Sequence, residues 1–253
     1  MTPPTTILVT EVFSAIQGEG ALVGERQVFL RLTGCNIRCA YCDQPESLER
    51  RPGPCRVEQT PGRRDWARRA SPLPVTEVAE AVDRLWRAVP HHSVSVTGGE
   101  PLLQARRLAA LLPLLSERGQ AVHLETNGTL PGGLRSVLEW VDHLSMDIKL
   151  DSVDHEAVAL DTHREFLQTG AGRHRFVKVV LGPATSPEEL DRAVALVHEV
   201  AADAEVFLQP VTPFAEVTAA PAPDQVLELQ ARALRLHPRV RVVPQTHRLI
   251  GQL

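Results

Sequence analysis

From residue 91 onward, short runs rich in β-branched residues alternate with longer stretches of helical period, and this alternation restricts the fold more than any other feature of the chain. The runs are "SVSVT" at 93–97, "AVHLET" at 121–126, "HLSMDIK" at 143–149, "RFVKVVL" at 175–181, "EVFLQP" at 205–210 and "RVRVVP" at 239–244. Strands joined by helical crossovers lie parallel, because a parallel connection cannot be made by a tight turn. Adding "QVFLRLT" at 27–33 gives six or seven strands and predicts an α/β fold, mostly parallel, either open or curled into a partial (β/α) barrel. Two crossover helices are well marked. In "PLLQARRLAALLPLLSERG" the spacing puts Leu103, Leu108, Leu111, Leu112 and Leu115 on one face, with Gly119 closing the end. Ser186, Pro187 and Glu189 make a capping box ahead of "LDRAVALVHEV".

The 253 residues suit a single domain, 1–253, with a sizeable core. A formal net charge of -4 argues against a nucleic-acid-binding surface and leaves small-molecule chemistry as the default. The start "MTPPTTILVTEVF" lacks a basic segment followed by an apolar one, and no stretch reaches the roughly 18 apolar residues of a membrane span. These features predict a soluble, cytoplasmic protein with no nucleic-acid or membrane partner. Residues 45–74, rich in Pro, Arg and Gly and without clear period, read as a long surface excursion inserted in the domain, with Cys55 a free thiol inside it.

If the strands are parallel, the polar groups at their ends converge on one rim, where such folds place their sites. Strand 27–33 runs into Thr33, Gly34 and the stretch "CNIRCAYC"; strand 93–97 into "TGGEP"; strand 121–126 into "ETNG"; strand 143–149 into "DIK". Four cysteines, three of them clustered, do not form a disulfide framework. The spacing of Cys35, Cys39 and Cys42 lets one loop wrap three thiolates around a soft metal centre. A structural zinc site wants a fourth ligand, and the nearest histidines, His91 and His92, lie about fifty residues away. An iron–sulfur cluster on three thiolates instead leaves one iron open to a substrate or cosubstrate. The residues alone leave both readings standing.

This cysteine spacing, followed by "TGGEP" at 97–101, resembles the radical S-adenosylmethionine superfamily. The resemblance implies a [4Fe-4S] cluster on Cys35, Cys39 and Cys42, with S-adenosylmethionine chelated to the remaining iron. Gly98, Gly99 and Glu100 would then support its methionine end, with Tyr41 near the adenine and Asp43 beside the cosubstrate. The N-terminal "FSAIQGEGALVGERQVFLRLTGCNIRCAYCD" and the C-terminal "VVPQTHRLIG" further resemble 7-carboxy-7-deazaguanine synthases. That likeness implies Ile16, Gln17 and Gly18 at a pterin edge, Arg31 gripping a substrate carboxylate through its guanidinium fork, and Thr97 against the substrate. It assigns Asp147, Ile148, Lys149, Gln209 and Pro210 to the cosubstrate, and Gln245 and His247 to the substrate pocket.

The implied reaction is a radical ring contraction of 6-carboxy-5,6,7,8-tetrahydropterin to 7-carboxy-7-deazaguanine, with loss of ammonia, on the route to queuosine. An electron donor such as flavodoxin or ferredoxin, and a homodimer, come with the resemblance. Family members commonly carry threonine after the Cys-Asp pair as a Mg2+ ligand, whereas this chain has Gln44. An amide on a longer stem predicts weakened or displaced Mg2+ binding, since that ion demands near-ideal octahedral geometry. Two alternatives share the motifs: a glycyl-radical-enzyme activase, and a zinc or iron–sulfur module without catalysis.

Overall fold

A computed structural model describes residues 5–49, 51, 53–153, 158–214 and 216–252. Its first half runs β1 (Thr6–Ile7), β2 (Val9–Ile16), β3 (Arg26–Leu32), β4 (Pro54–Glu58), β5 (Trp66–Ala70), β6 (Leu73–Pro74), α1 (Val75–Ala88), β7 (Ser93–Gly98), α2 (Ala105–Ser116) and β8 (Val122–Thr126). The second half runs α3 (Pro131–Arg135), β9 (His143–Ile148), α4 (Leu160–Thr169), β10 (His174–Leu181), α5 (Pro187–Val200), β11 (Glu205–Pro210), α6 (Pro223–Leu236), β12 (Val240–Val242) and α7 (Thr246–Leu249).

The seven runs expected as strands all form, and they pair in parallel in the order β3-β7-β8-β9-β10-β11-β12. Alternation along each strand splits the sheet into an apolar outer face and a more polar inner one. On β9, Leu144, Met146 and Ile148 enter the main core, while Ser145 and Asp147 point the other way. The outer face packs against helices whose buried residues recur at helical spacing, as in Val75, Val78, Ala79, Val82 and Leu85 of α1.

The segment after β2 crosses the inner face: Glu19 meets Lys178 of β10 and Gln209 of β11. Four strands separate β2 from β10 in the sheet order. Contact across that gap requires the sheet to curl, which gives the partial barrel.

Three expectations change. Residues 45–74 are not a loop excursion, although positions 50 and 52 lie outside the described residues. A short turn at Pro45–Ser47 supports the cysteine loop through Gly34 N donating to Ser47 O at 2.7 Å and Cys35 N to Leu48 O at 3.0 Å. Then β4 and β5 form an antiparallel hairpin, with β4 parallel to β2, so the sheet reaches ten strands. The hairpin is short, and its arginines mask a buried alternation of Cys55 and Val57; the Cys55 thiol is free but fully buried. The expected helix over 101–119 begins as a 3-10 turn at Pro101–Gln104, which buries Leu102 and leaves Leu103 only partly covered. Ser186 caps α5 by accepting from Glu189 N, but the Glu189 carboxylate accepts from Ser152 N rather than completing the box.

Candidate active site

The strand ends converge as expected. A cavity of about 1160 Å3, including its mouth, opens over the carboxyl ends of the parallel strands, and all three clustered cysteines line it. The cysteine loop follows β3, whose ladder with β7 aligns Arg31 with Thr97 and Leu32 with Gly98. Gly98 has φ +140, and a Cβ there would lie 2.2 Å from Leu32 O. At Gly99 a Cβ would lie 2.3 Å from Gly34 O and 2.7 Å from Ser47 O. These two positions accept no side chain because three backbone segments meet there.

Charged groups that the inward register brings together line the same cavity as the cysteines. Lys178 Nζ lies 2.5 Å from Glu19 and 3.2 Å from Asp147, and Asp147 also takes Lys149 Nζ at 3.1 Å. Lys149 donates to the Tyr41 hydroxyl at 3.0 Å. Burial pushes the Glu19 carboxyl up, but Lys178 and the Gln245 amide outweigh it and hold the group at about 2. Burial likewise disfavours the Lys178 ammonium, and Asp147, Glu19 and Glu125 together raise it above its ordinary value. Glu125 is shifted upward by burial, against the pull of Lys178. Its Oε1 accepts from Gln17 Nε2 at 3.2 Å and from the Ser95 hydroxyl.

Most of the residues singled out from sequence meet in this cavity. Ile16, Gln17 and Gly18 line one side with Arg31 and Thr97; Tyr41, Asp43 and Gln44 continue from the cysteines; Gly98, Gly99, Asp147, Lys149, Gln209, Gln245 and His247 complete it. Arg31 lies on an interior strand, not an edge, with its Nε 3.2 Å from Glu11.

Three singled-out residues do not reach the cavity. Ile148 and Pro210 alternate away from Asp147, Lys149 and Gln209, and Ile148 is buried in the main core. The Glu100 carboxylate is fully buried and taken up by Leu102 N, Asn127 N and the Thr126 hydroxyl, so it ties loops together beneath the site. Burial pushes Glu100 up to about 7 despite those donors.

Glu19, Glu125 and Lys178 escaped the sequence reading as site residues. Their traces were present: an acid within "QGEG", an acid opening "ETNG", and a lone lysine inside the apolar run "RFVKVVL".

A profile of the Radical SAM superfamily matches residues 30–208. A 7-carboxy-7-deazaguanine synthase of Geobacter sulfurreducens is 44% identical over 245 residues, covering 96% of this chain and 96% of its own length. The chain belongs to the 7-carboxy-7-deazaguanine synthase family of radical S-adenosylmethionine proteins. A further 7-carboxy-7-deazaguanine synthase, from Methanothermobacter thermautotrophicus, is 32% identical, with 96% of each chain covered. The solved structure of QueE from Escherichia coli shares the fold of this family member with a TM-score of 0.58 at 17% identity, covering 96% of this chain and 95% of that one. Membership in the deazaguanine synthase family decides against the activase and the non-catalytic module.

The residues present fit the superfamily's cluster and cosubstrate. His91 and His92 precede β7, whereas the cysteine loop follows the parallel β3, so the histidines sit at the opposite end of the sheet and cannot complete a zinc site with the thiols. Among the described residues no three His, Cys, Asp or Glu side chains converge on a single ion. Three thiols that share a wall without converging suit a cluster in which each thiolate meets its own iron. For the cosubstrate, Gln209 Oε1 is a buried acceptor with no partner among the described residues, and the Gly98-Gly99 surface admits a ligand close to the backbone. Mg2+ fits less well: Gln44 offers one amide, and Asp43 is held by Arg248 at 3.0 Å.

Proposed function

We propose that this chain converts 6-carboxy-5,6,7,8-tetrahydropterin to 7-carboxy-7-deazaguanine, releasing ammonia, in 7-deazapurine biosynthesis. The observation that carries the reading is that three thiols and a buried array of hydrogen-bonding and charged groups line one cavity. When bound, the cluster and S-adenosylmethionine supply the radical that removes a hydrogen from C6 of the substrate. The protein's residues bind and orient. Arg31, with Nε engaged by Glu11, keeps its terminal nitrogens for the substrate carboxylate. Gln17 and Glu125 offer an amide and a carboxyl to the aminopyrimidinone edge, and among the described residues nothing bonds Glu125 Oε2. Glu19 and Lys178 balance each other's charge at the cavity wall.

Tyr41, Asp43, Gly98, Gly99, Asp147, Lys149 and Gln209 are assigned to the cosubstrate, on the support of their lining one cavity with the cysteines. A flavodoxin- or ferredoxin-class donor, a homodimer and a cytoplasmic location are supported by family resemblance. Among the described residues no helix is long and apolar enough to cross a membrane.

Anaerobic incubation of the cluster-loaded protein with S-adenosylmethionine, a reductant and the carboxytetrahydropterin tests the function. The deazapurine is expected by mass and absorbance; cosubstrate cleavage without it would overturn the assignment. Chelating divalent ions is expected to lower turnover only modestly, and Gln44→Thr to introduce a several-fold dependence on added Mg2+. A strict requirement in the unaltered chain would contradict this.

A further inference from the structure

The cavity's wall at Gln245 and His247 belongs to residues 245–252, a segment that follows β12 and is not part of the sheet ladder. Several tethers among the described residues hold it, the Thr246 hydroxyl also donating to Gly18 O at 3.2 Å. Thr246 N donates to Gly18 O at 3.0 Å, Gln245 Nε2 to Glu19 at 2.8 Å, and Arg64 of the β4–β5 hairpin to Gly251 O at 2.7 Å. Another is Arg248, whose terminal nitrogen lies 3.0 Å from Asp43 and whose guanidinium stacks 5.1 Å from the centre of the Phe214 ring. Gly18 and Glu19 belong to the substrate side and Arg64 to the outer hairpin, so the Arg248 bond is the tether to the cysteine loop itself. Arg248 does not line the cavity. Its Nε is buried without a partner among the described residues, an arrangement that costs stability. Leu249 and Ile250 beside it stay exposed, so apolar burial does little to hold the segment.

We propose that Arg248 is a positioning residue: by bonding Asp43 it fixes Gln245 and His247 over the pterin pocket in register with the cluster wall. The proposal rests on the function proposed above. Loss of the Arg248 bond would let the segment leave the pocket, and the apparent affinity for substrate would then fall with the fraction of molecules in which it is seated.

The test is Arg248→Gln in the cluster-loaded protein, with Arg248→Lys as the conservative variant and iron content as the folding control. Amide exchange at Thr246 reports release from Gly18 and needs no substrate. It is expected to quicken about fivefold, the factor matching loss of a partly exposed ion pair. The KM for the carboxytetrahydropterin is expected to rise by up to that factor, and by more than the KM for S-adenosylmethionine, whose Asp43 contact the variant also frees, with kcat unchanged, and Lys is expected to restore part of both effects. In the unaltered protein, raising salt is expected to quicken Thr246 exchange through the same ion pair, which keeps the idea testable if the variant folds poorly. Unchanged Thr246 exchange, or equal rises in both KM values, would overturn the proposal. If the unaltered protein makes no deazapurine while Thr246 exchange still responds to Arg248→Gln, the function fails and the positioning role stands.

Discussion

Glu19 joins two walls of the cavity, accepting from Lys178, Gln209 and Gln245. Its carboxyl is held at about 2 against an ordinary 4.5, so it favours the folded state when ionised. The sign follows: a depressed carboxylate stabilises fully above its unfolded value, and that stabilisation fades as pH falls from 4.5 towards 2. At neutral pH the shift corresponds to on the order of 3 kcal/mol. Chemical denaturation across pH is expected to show Glu19→Gln less stable at pH 7, with the gap to the unaltered protein closing in acid. A gap independent of pH would contradict the ion pair's role. The sequence revealed neither Glu19 nor Lys178 as site residues, because each becomes meaningful only when strands far apart in the chain curl towards each other.

At the junction of β3, the cysteine loop and β7, backbone segments pack closely around Gly98 and Gly99. Gly98→Ala would put a methyl group against Leu32 O in a backbone conformation that costs a side chain roughly 1–3 kcal/mol before any clash. The expected result is a lower melting temperature together with fewer irons per chain, since the displaced backbone also carries Gly34 and Cys35; full iron loading would argue that the loop is independent of β7. This junction was legible as a motif, and the parallel strands as a pattern, because each parallel strand reads as an apolar run. The hairpin at β4 and β5 was not legible. Its outward arginines protect an edge of the sheet, and such edges carry charge where interior strands carry valine. Alternation on β9 and β11 also separated Asp147 and Gln209 from Ile148 and Pro210, which a motif carried over as a block could not do.

Over the whole molecule, the fold class and most of the cavity were readable from the chain, while its closure was not. Closure depends on contacts between segments that no local pattern links, such as Thr246 with Gly18, 228 residues apart. Bonds over such separations form late in folding, since the intervening chain must first be ordered. The cysteine loop, set by β3 and β7 at a much smaller separation in the chain, can therefore take shape before the pocket has its last wall. During that interval the three thiols are open to solvent, and oxygen or a stray metal ion competes with the iron they are meant to receive. The order in which the walls arrive thus makes loading the cluster a race against time.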